Sequence, residues 1–209
     1  TLNVIEGLVG IRRISDGRSV DVPANHRVVA AADVELNPAR LPAPVHAWQS
    51  DMGNGPKRMY GKWRPEDGEY GGRLLAIPWV TEQDKTIYTA AMPVSRSETP
   101  VVLNPTSEIH VHGRLKKGSH VFVGLTLRKP TGEFAGRFQV VKAASEFTAD
   151  EEFEIVLPLR KFQLDPSLKH VQEELPARPD GMVIDAIWCH TLYNNVGLGV
   201  TQFGVSDSE

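Results

Sequence analysis

Residues Thr106 to Val141, TSEIHVHGRLKKGSHVFVGLTLRKPTGEFAGRFQVV, alternate apolar and polar side chains with a period of two. An amphipathic helix repeats its apolar positions every three to four residues, so this stretch is incompatible with helix and predicts strands, broken at Lys-Gly-Ser and Lys-Pro-Thr-Gly turns. The pattern reads as an antiparallel meander. One face gathers Ile109, Val111, Leu115, Val121, Val123, Leu125, Leu127, Phe138 and Val140 and has to be buried. The other carries His110, His112, Arg114, His120, Phe122, Thr126, Arg128, Arg137 and Gln139. A merely solvated sheet face would be Lys, Glu, Ser and Thr, so the imidazoles, guanidinium groups, amide and ring direct attention there.

Composition narrows the function classes. With 23 basic and 26 acidic residues in 209, the net charge of -3 supplies no attraction for nucleic acid or an anionic membrane. No apolar run reaches the roughly 20 residues that cross a bilayer as a helix. The single Cys189 rules out an intramolecular disulfide framework and a multi-cysteine zinc site, and within VIDAIWCHTL it reads as a small buried hydrophobe. The opening TLNVIEGLVG alternates like a strand rather than a leader peptide, and so abrupt a beginning leads us to expect an upstream domain of the same parent protein.

Along the chain, Leu2 to Ile11 and Arg18 to Ala31 read as two strands joined by the Asp16-Gly17 turn. This hairpin or arm occupies residues 1–36. Residues 37–56 carry prolines at 38, 42, 44 and 56 and read as a stiff linker or wrapping arm, with Trp48 either an anchor or an exposed ring. The larger domain, 57–209, contains about nine short strands with turn signals every 8 to 12 residues, which predicts an all-β antiparallel β-sandwich of jelly-roll type. Between Leu159 and Gly181 a polar insertion interrupts it. Asp165-Pro166-Ser167 there predicts one or two helical turns before Pro176.

Two resemblances accompany this reading. The segment VIEGLVGIRRISDGRSVDVPANHRVVAAADVEL resembles the last part of a FecR-type domain, the periplasmic β-domain of ferric-citrate-type regulators, in its Gly7-x-Val9 strand, alternating Val20 and Val22, and final Val28-Val29. Asn25 stands where such domains often have Gly. The resemblance covers about the first 35 residues and implies an exported, periplasmic or cell-envelope protein of a bacterium. The segments FVGLTLRKPTGEFAGRFQVV, EFEIVLPLRKFQ and GMVIDAIWCHTLYNNVGLGVTQFGVSD resemble the galactose-binding-like jelly rolls appended to bacterial glycan-active enzymes. That resemblance, at the level of pattern, implies a non-catalytic carbohydrate-binding module, in some cases with a structural calcium near the chain ends.

Several constellations could carry chemistry. His110 and His112, at i and i+2 on a strand, share a side. They resemble the cupin metal motif, but Gly113-Arg114-Leu115-Lys116-Lys117 follows where a Glu is needed, and Arg114 would repel a dication. Arg114, Arg128 and Arg137 come from successive strands and, if they share a face, form a cationic groove suited to an acidic or sulfated glycan, with Gln139 alongside. Alternatively each pairs with a nearby carboxylate such as Glu133 or Glu154. Trp63 and Tyr70 bracket a turn-rich segment, and Tyr193-Asn194 lie at a strand end, where rings can stack on pyranose faces. Trp188, in step with Ile184 and Ala186, reads as core, and Trp79 similarly. Glu66, Asp67 and Glu69 cluster, but nothing fixes a catalytic pair. No nucleophile elbow or phosphate-cradling loop occurs.

The function expected is glycan binding through His110, His112, Arg114, Arg128, Arg137, Gln139, Trp63, Tyr70, Tyr193 and Asn194, with no catalytic residue, required cofactor, nucleic-acid partner or membrane insertion. The alternatives are an envelope module that binds another protein and a metal-dependent or glycan-active enzyme using the His110/His112 face.

Overall fold

The computed structural model describes residues 1–208 other than 54, 56–57, 67–68 and 95–98. The chain divides into two compact units, 1–43 and 44–209.

In the first unit, strands β1 (Leu2–Val4), β4 (His26–Val28) and β5 (Ala39–Arg40) form one sheet, while β2 (Leu8–Arg12) and β3 (Ser19–Pro23) pair as a hairpin. Each long run expected from alternation is thus cut in two. Gly7 at φ 77° and Asn25 at φ 58° turn the chain through left-handed conformations at the two breaks. The Asp16-Gly17 turn forms where the sequence places it, and Arg13 clamps it by bonding Asp16 and the carbonyls of Ala31 and Val34. Val4, Val22, Val28 and Leu36 make a separate small core.

The second unit is an antiparallel β-sandwich of jelly-roll type. Its strands are β6 (Trp48–Gln49), β7 (Lys62–Pro65), β8 (Gly72–Leu75), β9 (Ile77–Val80), β10 (Thr86–Pro93), β11 (Ser107–Arg114), β12 (Val121–Arg128), β13 (Phe134–Lys142), β14 (Glu152–Pro158), β15 (Gln163–Leu164), β16 (Val183–Thr191) and β17 (Gly199–Asp207). One sheet has the order β15-β13-β12-β16-β10-β9, the other β14-β11-β17-β8-β7, with β6 also pairing β17. The proline-rich stretch 37–56 is divided between the units: Ala39–Arg40 joins the first, and Trp48 anchors the second by pairing with Val205 and packing on the core.

The three-stranded meander does not form. β11 pairs with β14 and β17, whereas β12 pairs with β13 and β16, so the chain crosses from one sheet to the other at 115–120. The break positions and the alternation are as expected; the partner differs, and the first break is a crossover rather than a hairpin turn, because period two fixes which side chains share a face but not which strand lies alongside. The apolar face is nevertheless buried. Ile109, Val111, Leu115, Val121, Val123, Leu125, Leu127 and Phe138 have no solvent exposure, and Val140 packs partly buried against them. Cys189 is likewise wholly buried, and burial pushes its thiol pKa up. The polar insertion folds as the short helix Pro166–Glu174, with the Asp165 side chain accepting from the Ser167 amide.

Leu125 is wholly buried in this packing. Leu125→Ala is expected to lower unfolding free energy by about 2–5 kcal/mol in a urea titration; a loss below about 1 kcal/mol would contradict the inter-sheet burial.

Candidate functional sites on the two outer faces

Because β11 and β12 lie in different sheets, the polar residues of the 106–141 stretch are presented on opposite outer faces of the sandwich. His110, His112 and Arg114 occupy the face of the β11 sheet, and Phe122, Thr126, Arg128, Arg137 and Gln139 that of the β12 sheet. His120 is exposed just before β12. The three arginines therefore cannot line one groove, and each has an acidic partner. Arg114 Nη2 lies 3.3 Å from Asp150 Oδ1, Arg128 Nε 3.0 Å from Asp185 Oδ1, and Arg137 Nε 3.3 Å from Asp165 Oδ2.

On the β12 face, register aligns one row across the sheet. Tyr60 bridges Ala91; Ala91 lies opposite Trp188, Trp188 opposite Gly124, Gly124 opposite Gln139, and Gln139 opposite Gln163. Gly124 is required here, since a Cβ would come within 2.1 Å of the Trp188 ring. Trp188 stacks on His190 at 5.3 Å and 18°, and His190 on Phe122 at 4.5 Å and 9°. At the far end Trp79, half exposed, meets Tyr60 edge-to-face at 5.0 Å, and the Tyr60 hydroxyl is held by the Pro78 carbonyl. Arg137 also donates to Ser167 Oγ at 3.1 Å.

Trp188 and Trp79 are thus surface rings rather than core. The cause in β16 is an irregularity opposite Thr126 and Leu127: Leu127 faces Ile184 but Thr126 faces Ala186, so Asp185 is an extra residue. Ile184 points inward, and beyond the bulge the phase shifts so that Ile187 and Cys189 are buried while Trp188 and His190 face out. A local irregularity of this kind leaves no mark on the alternation read from sequence.

The β11 face carries a different arrangement. The Tyr70 hydroxyl and His112 Nδ1 are 2.9 Å apart, and His112 Nε2 is 3.6 Å from Glu154 Oε1. Arg73 donates to Glu66 at 3.0 Å and Glu152 at 2.7 Å. These groups line a cleft of about 410 Å³. A second cavity of about 280 Å³ shares Glu69, Tyr70 and Thr201 with it. Burial raises the Tyr70 phenol pKa, and the charges of Glu69, Glu154 and Glu152 push it the same way. Asp67, grouped with Glu66 and Glu69 in the sequence, lies outside the described residues. His110 bonds Ser206 Oγ at 2.7 Å and does not join this cluster as a ligand pair with His112. Among the described residues, no group of three or more His, Cys, Asp or Glu side chains is placed to hold a metal ion.

Of the other expected residues, Trp63 packs against the core edge and donates its indole N–H to the Met52 carbonyl at 3.0 Å. Tyr193 and Asn194 are exposed on the β16–β17 connection and belong to neither of the residue sets described above. Sequence reasoning assigns Trp79 and Trp188 to the core and takes Glu154 only as an arginine partner; it passes over Tyr60, His190 and Gln163 on one face, and Arg73, Thr201 and Glu152 on the other. A Trp-x-His pair on a strand was the available signal for the first set.

No protein-family model matches the chain, and no curated protein matches it. Among solved structures it is similar to a family 11 carbohydrate-binding module of a cellulosomal cellulase of Clostridium thermocellum, with 9% identity and a TM-score of 0.48 over 88% of this chain and 95% of that one. It is also similar to a family 11 module from Clostridium thermocellum in complex with a β-1,3-1,4-mixed-linked tetrasaccharide, with 10% identity and a TM-score of 0.42 over 77% and 84% of the two chains. A third similar structure is the glycoside hydrolase domain of Endo-D from Streptococcus pneumoniae, at 14% identity and a TM-score of 0.38, covering 78% of this chain and 22% of that one. Likeness at this level transfers no residue role.

Burial pushes the His190 imidazole from 6.5 down to about 4, although the Asp165 charge pulls the other way. Between those values the unfolded chain binds a proton that the folded chain does not, so stability present above pH 6.5 is lost as pH falls toward 4, by at most about 3 kcal/mol. Urea unfolding at pH 7 and pH 4.5 should show this slope diminished in His190→Phe, which keeps a ring but cannot titrate. An unchanged slope would contradict it.

Proposed function

We propose that the sandwich is a non-catalytic carbohydrate-binding module and that the outer face of the β12 sheet is its sugar platform. The observation that carries this reading is the row from Tyr60 through Ala91, Trp188, Gly124 and Gln139 to Gln163. Neighbouring strands are about 4.8 Å apart, so this row of six residues, five on strands and Tyr60 on an isolated bridge, extends roughly 24 Å, the reach of an oligosaccharide rather than a single sugar.

The chemistry suits a pyranose chain. Rings offer dispersion and C–H to π contact to the apolar faces of sugars, and the Gln139 and Gln163 amides both donate and accept hydrogen bonds to hydroxyls. Arg128 and Arg137 are ion-paired with Asp185 and Asp165, which removes the cationic excess that an acidic or sulfated glycan would require. A neutral glycan is therefore the ligand proposed. The FecR-type resemblance of the first residues supports placing the module in an exported bacterial protein.

Affinity electrophoresis against neutral and acidic polysaccharides tests the reading. Trp79→Ala, at an exposed ring, and Trp188→Ala should each weaken retention on a neutral polysaccharide about tenfold, corresponding to roughly 1.4 kcal/mol, whereas Tyr193→Ala should not. If the wild-type protein is retarded by no glycan, the proposal fails.

A further inference from the structure

The cleft on the β11 face has no part in the sugar platform, and its composition is different in kind. We propose that it is a second, separate binding site that takes an amino sugar through its protonated amine. Glucosamine-type residues, not their N-acetylated forms, are the ligand class.

The electrostatics come first. Among the described residues, Glu66, Glu69, Glu152 and Glu154 surround the cleft against the single guanidinium of Arg73, which already holds Glu66 and Glu152. The excess is negative; the Tyr70 phenol pKa, raised first by burial, is pushed further up by Glu69, Glu154 and Glu152. A neutral ligand gains nothing from this field, and an anionic one is repelled.

The second observation is independent of charge. Thr201 lines both cavities, is 5% exposed, and its Oγ1 has no hydrogen-bond partner. It occupies a bulge in β17: Gly113 pairs with Val200 and His112 with Gln202, leaving Thr201 as the extra residue. Bulges re-aim side chains and recur beside binding sites. An unsatisfied buried hydroxyl costs about 1–3 kcal/mol, a cost that a ligand atom bonding Thr201 Oγ1 would offset.

Together these features select among cations. A small dication would meet Arg73 in the same cleft, and no set of ligands is placed to hold one among the described residues. A lysine side chain would bring its ammonium group to the glutamates on a bare methylene stem, with no atom for Thr201 Oγ1 or for the Tyr70–His112 pair. An amino sugar carries its ammonium beside hydroxyls that both donate and accept, which matches carboxylates next to a hydroxyl, a phenol and an imidazole. The cavity volume falls within the range of small-molecule sites, roughly 300–1,000 Å³.

Calorimetric titration at low salt with glucosamine hexamer, N-acetylglucosamine hexamer and tri-lysine tests the assignment. The glucosamine hexamer should bind, with affinity at least tenfold above the N-acetylated hexamer and tri-lysine. Thr201→Val and Glu154→Gln should each reduce it at least tenfold, while Trp79→Ala should leave it unchanged. Glu154 is mostly exposed, so its variant retains the fold even if Thr201→Val does not. No binding, equal binding of the N-acetylated hexamer, equal binding of tri-lysine, or insensitivity to Glu154→Gln would each overturn the proposal. Because the platform is assayed separately with neutral polysaccharide and Trp79→Ala, failure at one face is distinguishable from failure at the other.

Discussion

The structure of the larger unit depends on burial of the inner side chains of β11 and β12 in one core contributed by two sheets. Ile109 and Val111 extend inward from one sheet, Val123 and Leu125 from the other, all without solvent exposure. Two strands adjacent in sequence could have paired edge to edge through the short 115–120 connection. They are instead separated across the sandwich, each finding partners distant in the chain: β17 and β14 for β11, β16 and β13 for β12. Placing both inner faces against each other removes more apolar surface from water than a single sheet with one face against solvent, and this non-directional gain decides the pairing.

Separation of the strands creates two outer surfaces of unlike character. The β12 face bears an ordered row of rings and amides, with its guanidinium groups neutralised by Asp165 and Asp185. The β11 face holds a cleft with excess carboxylate around Tyr70 and His112. Each surface depends on a local irregularity. In β16 an extra residue at Asp185 turns Trp188 and His190 outward, over the space left by Gly124. In β17 an extra residue leaves the Thr201 hydroxyl without a partner beside the cleft. The bulges interrupt ladder hydrogen bonding within otherwise regular sheets, and both lie where side-chain chemistry departs from ordinary solvated polarity.

Ion pairing also shapes what these surfaces can attract. Read as a sequence, Arg114, Arg128 and Arg137 suggested a cationic groove. Folding gives each a carboxylate from a different part of the chain, Asp150, Asp185 and Asp165. Partly exposed pairs of this kind contribute little to stability, but they cancel the field that long-range attraction of an acidic ligand would need. Charge that looked available is therefore local and paired.

The sequence by itself determined the all-β class, the breaks on either side of β12, the short helix after Asp165, and the buried identity of Ile109, Val111, Leu125 and Phe138, because alternation and turn chemistry are local properties of the chain. It also marked His112 on a sheet face and Tyr70 beside a turn as candidate binding residues. Tertiary structure alone decided that β11 and β12 belong to different sheets, that Trp188 and Trp79 face outward, that Trp63 is packed inward, and that Thr201 lacks a partner. Strand pairing and bulges are set by which long-range contacts bury the most apolar surface together, and a single extra residue reverses the facing of all that follow it within a strand. Neither effect is encoded within any one segment.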